Sequence, residues 1–290
     1  MLPVSPLRAF CLTTLAMIAF AGNSLLCRAA LRDTDIDAAT FTTVRLISGA
    51  LTLWLLVALR RLGPVSGGGS WLSGLALFVY AGAFSFAYLG LSTAMGALLL
   101  FGSVQVTMIS VGHWRGDRLR TGQWLGFVLA FGGLVGLLLP GLSAPPLVSS
   151  VLMLSAGIAW GIYSLRGKGA GEPTLATAGN FMRSVPFTLV LSALMLGQFQ
   201  LDTAGVGYAV ASGAITSALG YAIWYMALPA LKAATAATVQ LTVPVIAAIG
   251  GILLLSEPLT LRLMLAALAI LGGIWLVIYQ KQRQLKPQGS

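Results

Sequence analysis

Ten apolar runs, each long enough to cross a bilayer, follow one another along this chain with almost nothing polar between them. Bounded by charges, Gly or Pro, they cover residues 8–29, 37–59, 70–91, 94–113, 121–140, 146–166, 173–197, 204–227, 231–255 and 260–280. A spanning helix needs about 20 apolar residues, so 290 residues accommodate ten spans with short loops and leave no room for a soluble domain. Composition says the same: 58% of residues are hydrophobic and 8% are charged, too little polar surface for a protein that meets water on all sides. The expected fold is all-α and integral to the membrane. The third and fourth runs are separated only by Ser92, Thr93 and their neighbours, so a tight turn is expected there.

The net charge of +10 would suit nucleic acid in a soluble protein, but here it follows membrane sidedness. Arg8, Arg60, Arg61, Arg115, Arg118, Arg120, Arg166, Lys168, Lys232, Lys281, Arg283 and Lys286 fall at one set of helix ends. Arg28, Arg32 and Arg262 fall at the other, and Arg45 and Arg183 lie within spans. Twelve against three puts both termini in the cytoplasm and the chain in the cell (inner) membrane. Nucleic acid is excluded as a partner, and membrane lipid is expected as the solvent. The apolar run after Arg8 is long and further spans follow, so it reads as a retained first helix. Cys11 and Cys27 share that helix, roughly 24 Å apart at the α-helical rise, too far for a disulfide.

The two halves align with each other. Val104-Gln105-Val106-Thr107 matches Val239-Gln240-Leu241-Thr242, Asp117-Arg118-Leu119 matches Glu257-Pro258-Leu259, and Gly132-Gly133 matches Gly272-Gly273. Arg45 falls on Arg183, and Ala21-Gly22 on Trp160-Gly161. Residues 1–143 and 144–290 therefore read as two repeats of five helices. An odd number of spans makes the second repeat enter from the opposite face, an inverted arrangement that places transporter sites at the midplane between halves.

Five plus five spans, a Gly/Ser-Asp/Glu-x-Leu loop before the last helix of each half, and a Gly-Gly within that helix resemble the drug/metabolite transporter superfamily and, within it, the EamA family. The loops read Gly116-Asp117-Arg118-Leu119 and Ser256-Glu257-Pro258-Leu259. Aromatic residues in the interior helices make the YddG-like amino-acid exporters the most similar subfamily. The resemblance implies alternating access around a cavity lined by the first, third, fourth, sixth, eighth and ninth helices. It also implies a small-molecule substrate, an amino acid with an aromatic or apolar side chain first among them, with another small solute as the alternative. Small proton-coupled members of the superfamily use a glutamate in the first span; residues 8–29 contain no acid, so facilitated flux is the simpler expectation.

Catalysis is not expected. The one histidine, His113, sits at a helix end, and no carboxylate pair or metal-ligand cluster lies within a span. No cofactor or metal is expected either. Charges inside spans are functional hypotheses, and Arg45 and Arg183 are read as capturing a substrate carboxylate or gating its passage; the alternative is a snorkelling or carbonyl-capping arginine. Gln105 and Gln240 occupy equivalent midplane positions, where an amide can both donate and accept or simply join helices. Asn23 has similar standing. Tyr80, Phe84 and Tyr88 form a stripe, Tyr221, Trp224 and Tyr225 cluster in the eighth span, and Tyr80, Trp160 and Tyr163 lie deeper than interfacial aromatics such as Trp71, Trp114, Trp124 and Tyr279. These side chains are expected to line the substrate site or to pack the core. Gly122, Gly126, Gly132, Gly133 and Gly136 suggest close helix packing or a weak homodimer contact, and Pro186 and Pro244 are expected to kink their spans.

Overall fold

The computed structural model describes residues 6–116, 119–141, 144–167, 171–231 and 233–284. Asp117, Arg118, Lys168, Lys232 and Lys286 lie outside that set. Ten long helices are present: α1 Pro6–Asp33, α2 Ala38–Arg60, α3 Trp71–Tyr88, α4 Thr93–Trp114, α5 Thr121–Leu138, α6 Leu147–Gly167, α7 Pro173–Leu194, α8 Thr203–Ala230, α9 Ala233–Gln240 continuing as Thr242–Leu255, and α10 Leu261–Gln284. No other backbone form satisfies its own hydrogen bonds so completely where water is absent. The helices start on side chains that accept the orphan first-turn N–H groups: Asp37 for α2, Ser70 for α3, Ser92 for α4, Glu172 for α7 and Asp202 for α8. Ser92 is thus what makes the tight α3–α4 turn workable.

The outside is apolar and the inside carries polar groups, the reverse of a soluble protein. Val128, Leu253 and Leu268 are 61%, 74% and 72% exposed, whereas Asn23, Arg45 and Gln105 are buried. Nine of the helices are long and apolar enough to span a membrane, among the described residues. The exception is α7, whose Thr174, Thr177, Asn180, Arg183, Ser184 and Thr188 make it too polar by composition. It packs between α2 and α3, so those groups are sheltered from lipid. The helix ends at Leu194, three residues short of the expected 197, because a 3₁₀ turn at Leu196–Gln198 follows.

Helix contacts come in matched pairs. Shifting each number by five exchanges α3–α6 with α8–α1, α4–α6 with α9–α1, and α3–α7 with α8–α2; α2–α7, α4–α9 and α5–α10 map onto themselves. The α5–α10 seam is extensive and close. A Cβ on Gly126 would meet the Gly273 carbonyl at 2.5 Å, and one on Gly133 would meet Ala269 Cβ at 2.9 Å. These glycines serve packing within the chain, while Gly132, Gly136 and Gly272 face open space.

Two helices are irregular in the middle. Residues Ala211–Leu219 of α8 form a π-helix, and α9 breaks at Leu241, whose N–H bonds back only to Thr238. Pro244 explains the break, since it has no N–H to offer the Gln240 carbonyl. Pro186, by contrast, sits inside a continuous α7.

Candidate functional site

The π-segment of α8 lies directly against α2. Gly213 has no room for a Cβ, which would collide with the Arg45 carbonyl oxygen and Ser48 Oγ. This approach brings the α8 hydroxyls to the buried Arg45 and Asn23. Arg45 Nη2 donates to Tyr80 Oη at 3.1 Å and to Ser217 Oγ at 3.4 Å. Asn23 Nδ2 donates to the same Tyr80 oxygen at 3.2 Å, while Asn23 Oδ1 accepts from Ser212 at 2.7 Å and from Thr216 at 3.4 Å. Four helices, α1, α2, α3 and α8, thus meet at one hydrogen-bonded cluster in the bundle interior.

Arg45 is the centre of that cluster and is only 1% exposed. It cannot snorkel. Its guanidinium lies 5.2 Å from the Tyr80 ring and 5.0 Å from the Phe84 ring, contacts worth about 0.5–2 kcal/mol each. Among the described residues it has no acidic partner, the ion pairs being Arg28–Glu257 and Arg32–Asp33. Its Nε and Nη1 are buried without any hydrogen-bond partner. An unpaired buried charge costs several kcal/mol, and the two ring contacts and two charge-assisted hydrogen bonds that offset it leave two guanidinium nitrogens unsatisfied. A group so placed has free donors for an anion.

Most of the aromatic residues expected at the site form one continuous cluster, in which Trp160 and Tyr163 stack and the other rings meet tilted or edge-on. Trp160 lies 4.8 Å from Tyr80, 5.2 Å from Tyr163 and 5.0 Å from Tyr221. Phe84 continues the stripe to Tyr88 at 4.8 Å. Trp224 is one step removed, touching Phe20 at 6.1 Å. Gln105 is buried in α4 and Gln240 is half-buried at the break of α9. Neither joins the Arg45 cluster.

Arg183 differs from Arg45. Its guanidinium donates to the carbonyls of Ser66 (3.0 Å), Gly179 (3.0 Å) and Gly68, tying the Val65–Gly67 turn to α7. That is the carbonyl-capping role, at the helix ends that carry Arg60, Arg61 and Arg166, hereafter the basic end. Sequence reading passed over Ser212, Thr216, Ser217 and Asn180. The available signal was their clustering in spans that need no hydroxyl or amide to satisfy lipid.

The profile of the EamA-like transporter family matches residues 147–279. An uncharacterized protein of Pseudomonas aeruginosa is 55% identical over 98% of this chain and 99% of its own length. The chain belongs to the EamA-like transporter family. As an EamA-family protein it is a multi-pass membrane transporter of a small molecule and not an enzyme. An uncharacterized transporter of Archaeoglobus fulgidus is 28% identical over 57% of this chain and 60% of its own. The threonine/homoserine exporter RhtA of Escherichia coli is 30% identical over 44% of each chain. A crystal structure superposes with a TM-score of 0.68 over 96% of this EamA-family chain and all of that one, at 16% identity, which shows the fold alone.

Proposed function

We propose that this EamA-family transporter exports amino acids by alternating access, with the substrate carboxylate held by Arg45. The observation that carries the reading is the buried guanidinium with two unpartnered nitrogens and no acid to neutralise it. Carboxylate is the anion whose geometry suits a guanidinium best. Asn23 and the Tyr80 hydroxyl flank the charge, and the Trp160–Tyr163 and Phe84–Tyr88 surfaces meet an apolar or aromatic side chain. Trp224, linked to Trp160 through Phe20 and Tyr221, sits at the margin of this site, and Gln105 and Gln240 lie outside the cluster. The halves 1–143 and 144–290 are the bodies that rock, and both termini face the cytoplasm of a bacterial-type inner membrane on the strength of the basic-residue asymmetry.

Substrate size has two readings. The aromatic stack and the YddG-like pattern favour aromatic or apolar amino acids. The hydroxyls of Ser212, Thr216 and Ser217, together with the similarity to RhtA, favour a small hydroxylated one. Counterflow in proteoliposomes separates them: threonine, homoserine, phenylalanine and tryptophan are compared at matched and unequal pH across the membrane. Saturable exchange of at least one is expected, and its absence for every amino acid sinks the reading.

A further inference from the structure

A polar cavity of about 320 Å³ lies at the basic end among Ser70, Ser73, Tyr163, Arg166, Thr177 and Tyr225. That volume falls at the lower end of what small-ligand sites use, enough for one amino acid. Three features give it a positive field. The exposed Arg166 is aimed across the cavity wall by Nε to Ser73 Oγ (3.1 Å) and Nη2 to Ser70 Oγ (3.4 Å). The N-termini of α3 and α7, capped by Ser70 and Glu172, both end at it, and helix N-termini favour anions. Among the described residues no lining residue is acidic; Glu172, next to the lining Pro173, accepts the Leu175 N–H at 2.6 Å as the α7 cap.

The floor of this cavity is the aromatic stack itself. Tyr163 lines it and lies nearly parallel to Trp160, at 5.2 Å and 22°. Trp160 in turn contacts Tyr80, whose hydroxyl accepts from Arg45. The cavity and the buried guanidinium are therefore separated by three aromatic rings in series, Tyr163, Trp160 and Tyr80. Its shape is held from behind: Arg183 ties down the carbonyls of Ser66 and Gly68, and Asn180 accepts from the Ser70 N–H at 2.9 Å while donating to Tyr163 Oη at 3.4 Å.

We infer that this cavity is a waiting site, where Arg166 holds the carboxylate of a substrate amino acid before the Tyr163–Trp160–Tyr80 layer opens to Arg45. The inference rests on the export reading above but names a site independent of Arg45. Substrate would then pass between two guanidinium groups, and each releases the carboxylate as the next receives it. The aromatic layer keeps the two from being open to each other.

Gly167 supplies the test. A Cβ there would meet only Tyr225 Oη, at 3.7 Å, so Gly167→Cys puts a thiol at the cavity rim with room to react. In a background with Cys11→Ala and Cys27→Ala, its labelling by a charged, membrane-impermeant thiosulfonate is followed in phosphatidylcholine vesicles. L-Threonine and L-phenylalanine are added separately, beside threoninol and phenethylamine, which lack the carboxylate. An amino acid at ten times its Kd slows labelling about tenfold, the alcohol and amine do not, and the protection survives Arg45→Gln. Arg166→Gln removes the protection and Arg166→Lys restores part of it.

Protection that disappears in Arg45→Gln overturns the inference, because the cavity is then only the mouth of the central site. So does protection that persists in Arg166→Gln, or that equally follows from adding phosphatidylglycerol without amino acid, which assigns the positive field to lipid headgroups. Saturable flux without any protection leaves the transport reading standing and removes the waiting site. Neither flux nor protection removes both.

Discussion

Arg28 and Glu257, 229 residues apart, form an ion pair across the bundle at the end opposite the basic one, with Nε 3.3 Å from Oε1. Arg28 also donates to the Tyr88 carbonyl at 2.8 Å, and Glu257 Oε2 accepts the Thr93 N–H at 2.8 Å. Helices α1, α3, α4 and the end of α9 are thereby joined at one point, and the acidic loop singled out in the second half is the fastener. Removing the two charges is expected to have unequal effects. Arg28→Gln strands a buried carboxylate and costs about 3 kcal/mol. Glu257→Gln keeps an acceptor for Thr93 and leaves Arg28 on its carbonyls, costing about 1 kcal/mol. Thermal unfolding in detergent measures both, and equal losses contradict the assignment.

Arg45 separates function from stability. On the proposed role, Arg45→Gln removes a charge-assisted bond to the substrate, worth about 1.5–3 kcal/mol, so transport efficiency should fall roughly 10- to 150-fold. The same change relieves an under-partnered buried charge, so Tm should hold or rise. A variant that loses transport and stability together would assign Arg45 to packing.

Gly213 tests the approach of α8 to α2. Gly213→Ala forces a methyl group against the Arg45 carbonyl and Ser48; such overpacking costs about 1–3 kcal/mol, and it lifts Ser217 away from Arg45. Gly136, with open space at its Cβ position, is the control. Gly136→Ala should leave stability unchanged or raise it by up to about 1 kcal/mol. Similar responses at the two glycines would mean that the close contact is not limiting.

Asp37 gives a pH signature outside the spans. Burial pushes its pKa upward, but hydrogen bonds from the backbone N–H groups of Gln200, Thr40 and Ala39 outweigh it, and the carboxyl sits below its ordinary value. A carboxyl lowered on folding contributes stability that is complete above its unfolded pKa, about 3.9, and is lost as pH falls through the folded value. Wild type should therefore exceed Asp37→Asn in Tm at neutral pH, with the gap closing below about pH 4. A gap that is constant with pH rules out this carboxylate as its source.

Much of this architecture was legible because lipid makes a simple demand. Runs of apolar residues mark the helices, and α7 escapes that rule only because α2 and α3 shelter its polar face. The depth of Tyr80, Trp160 and Tyr163 marked them as interior, and they stack. The arginines matched by the repeat were found, but their surroundings were not: Arg45 meets rings and hydroxyls, whereas Arg183 meets carbonyls of a turn. Those differences depend on which loops and hydroxyls come near in three dimensions. The α8 π-segment was invisible because one extra residue per turn barely alters an apolar pattern. The cavity at the basic end was invisible because three helix ends and a run of glycines build it, none of them periodic.

That π-segment has a mechanical consequence. A helix wound wide over Ala211–Leu219 carries surplus contour length, and tightening it by one residue turns everything downstream by about 100°. Tyr221 and Trp224 lie immediately downstream, while Gly213, within the segment near its start, is pinned by its contact with α2. The same helix is thus gripped within its wide turns, and the part that such a tightening would rotate carries two rings packed against Trp160 and Phe20, like a key whose aromatic bit already sits among the wards.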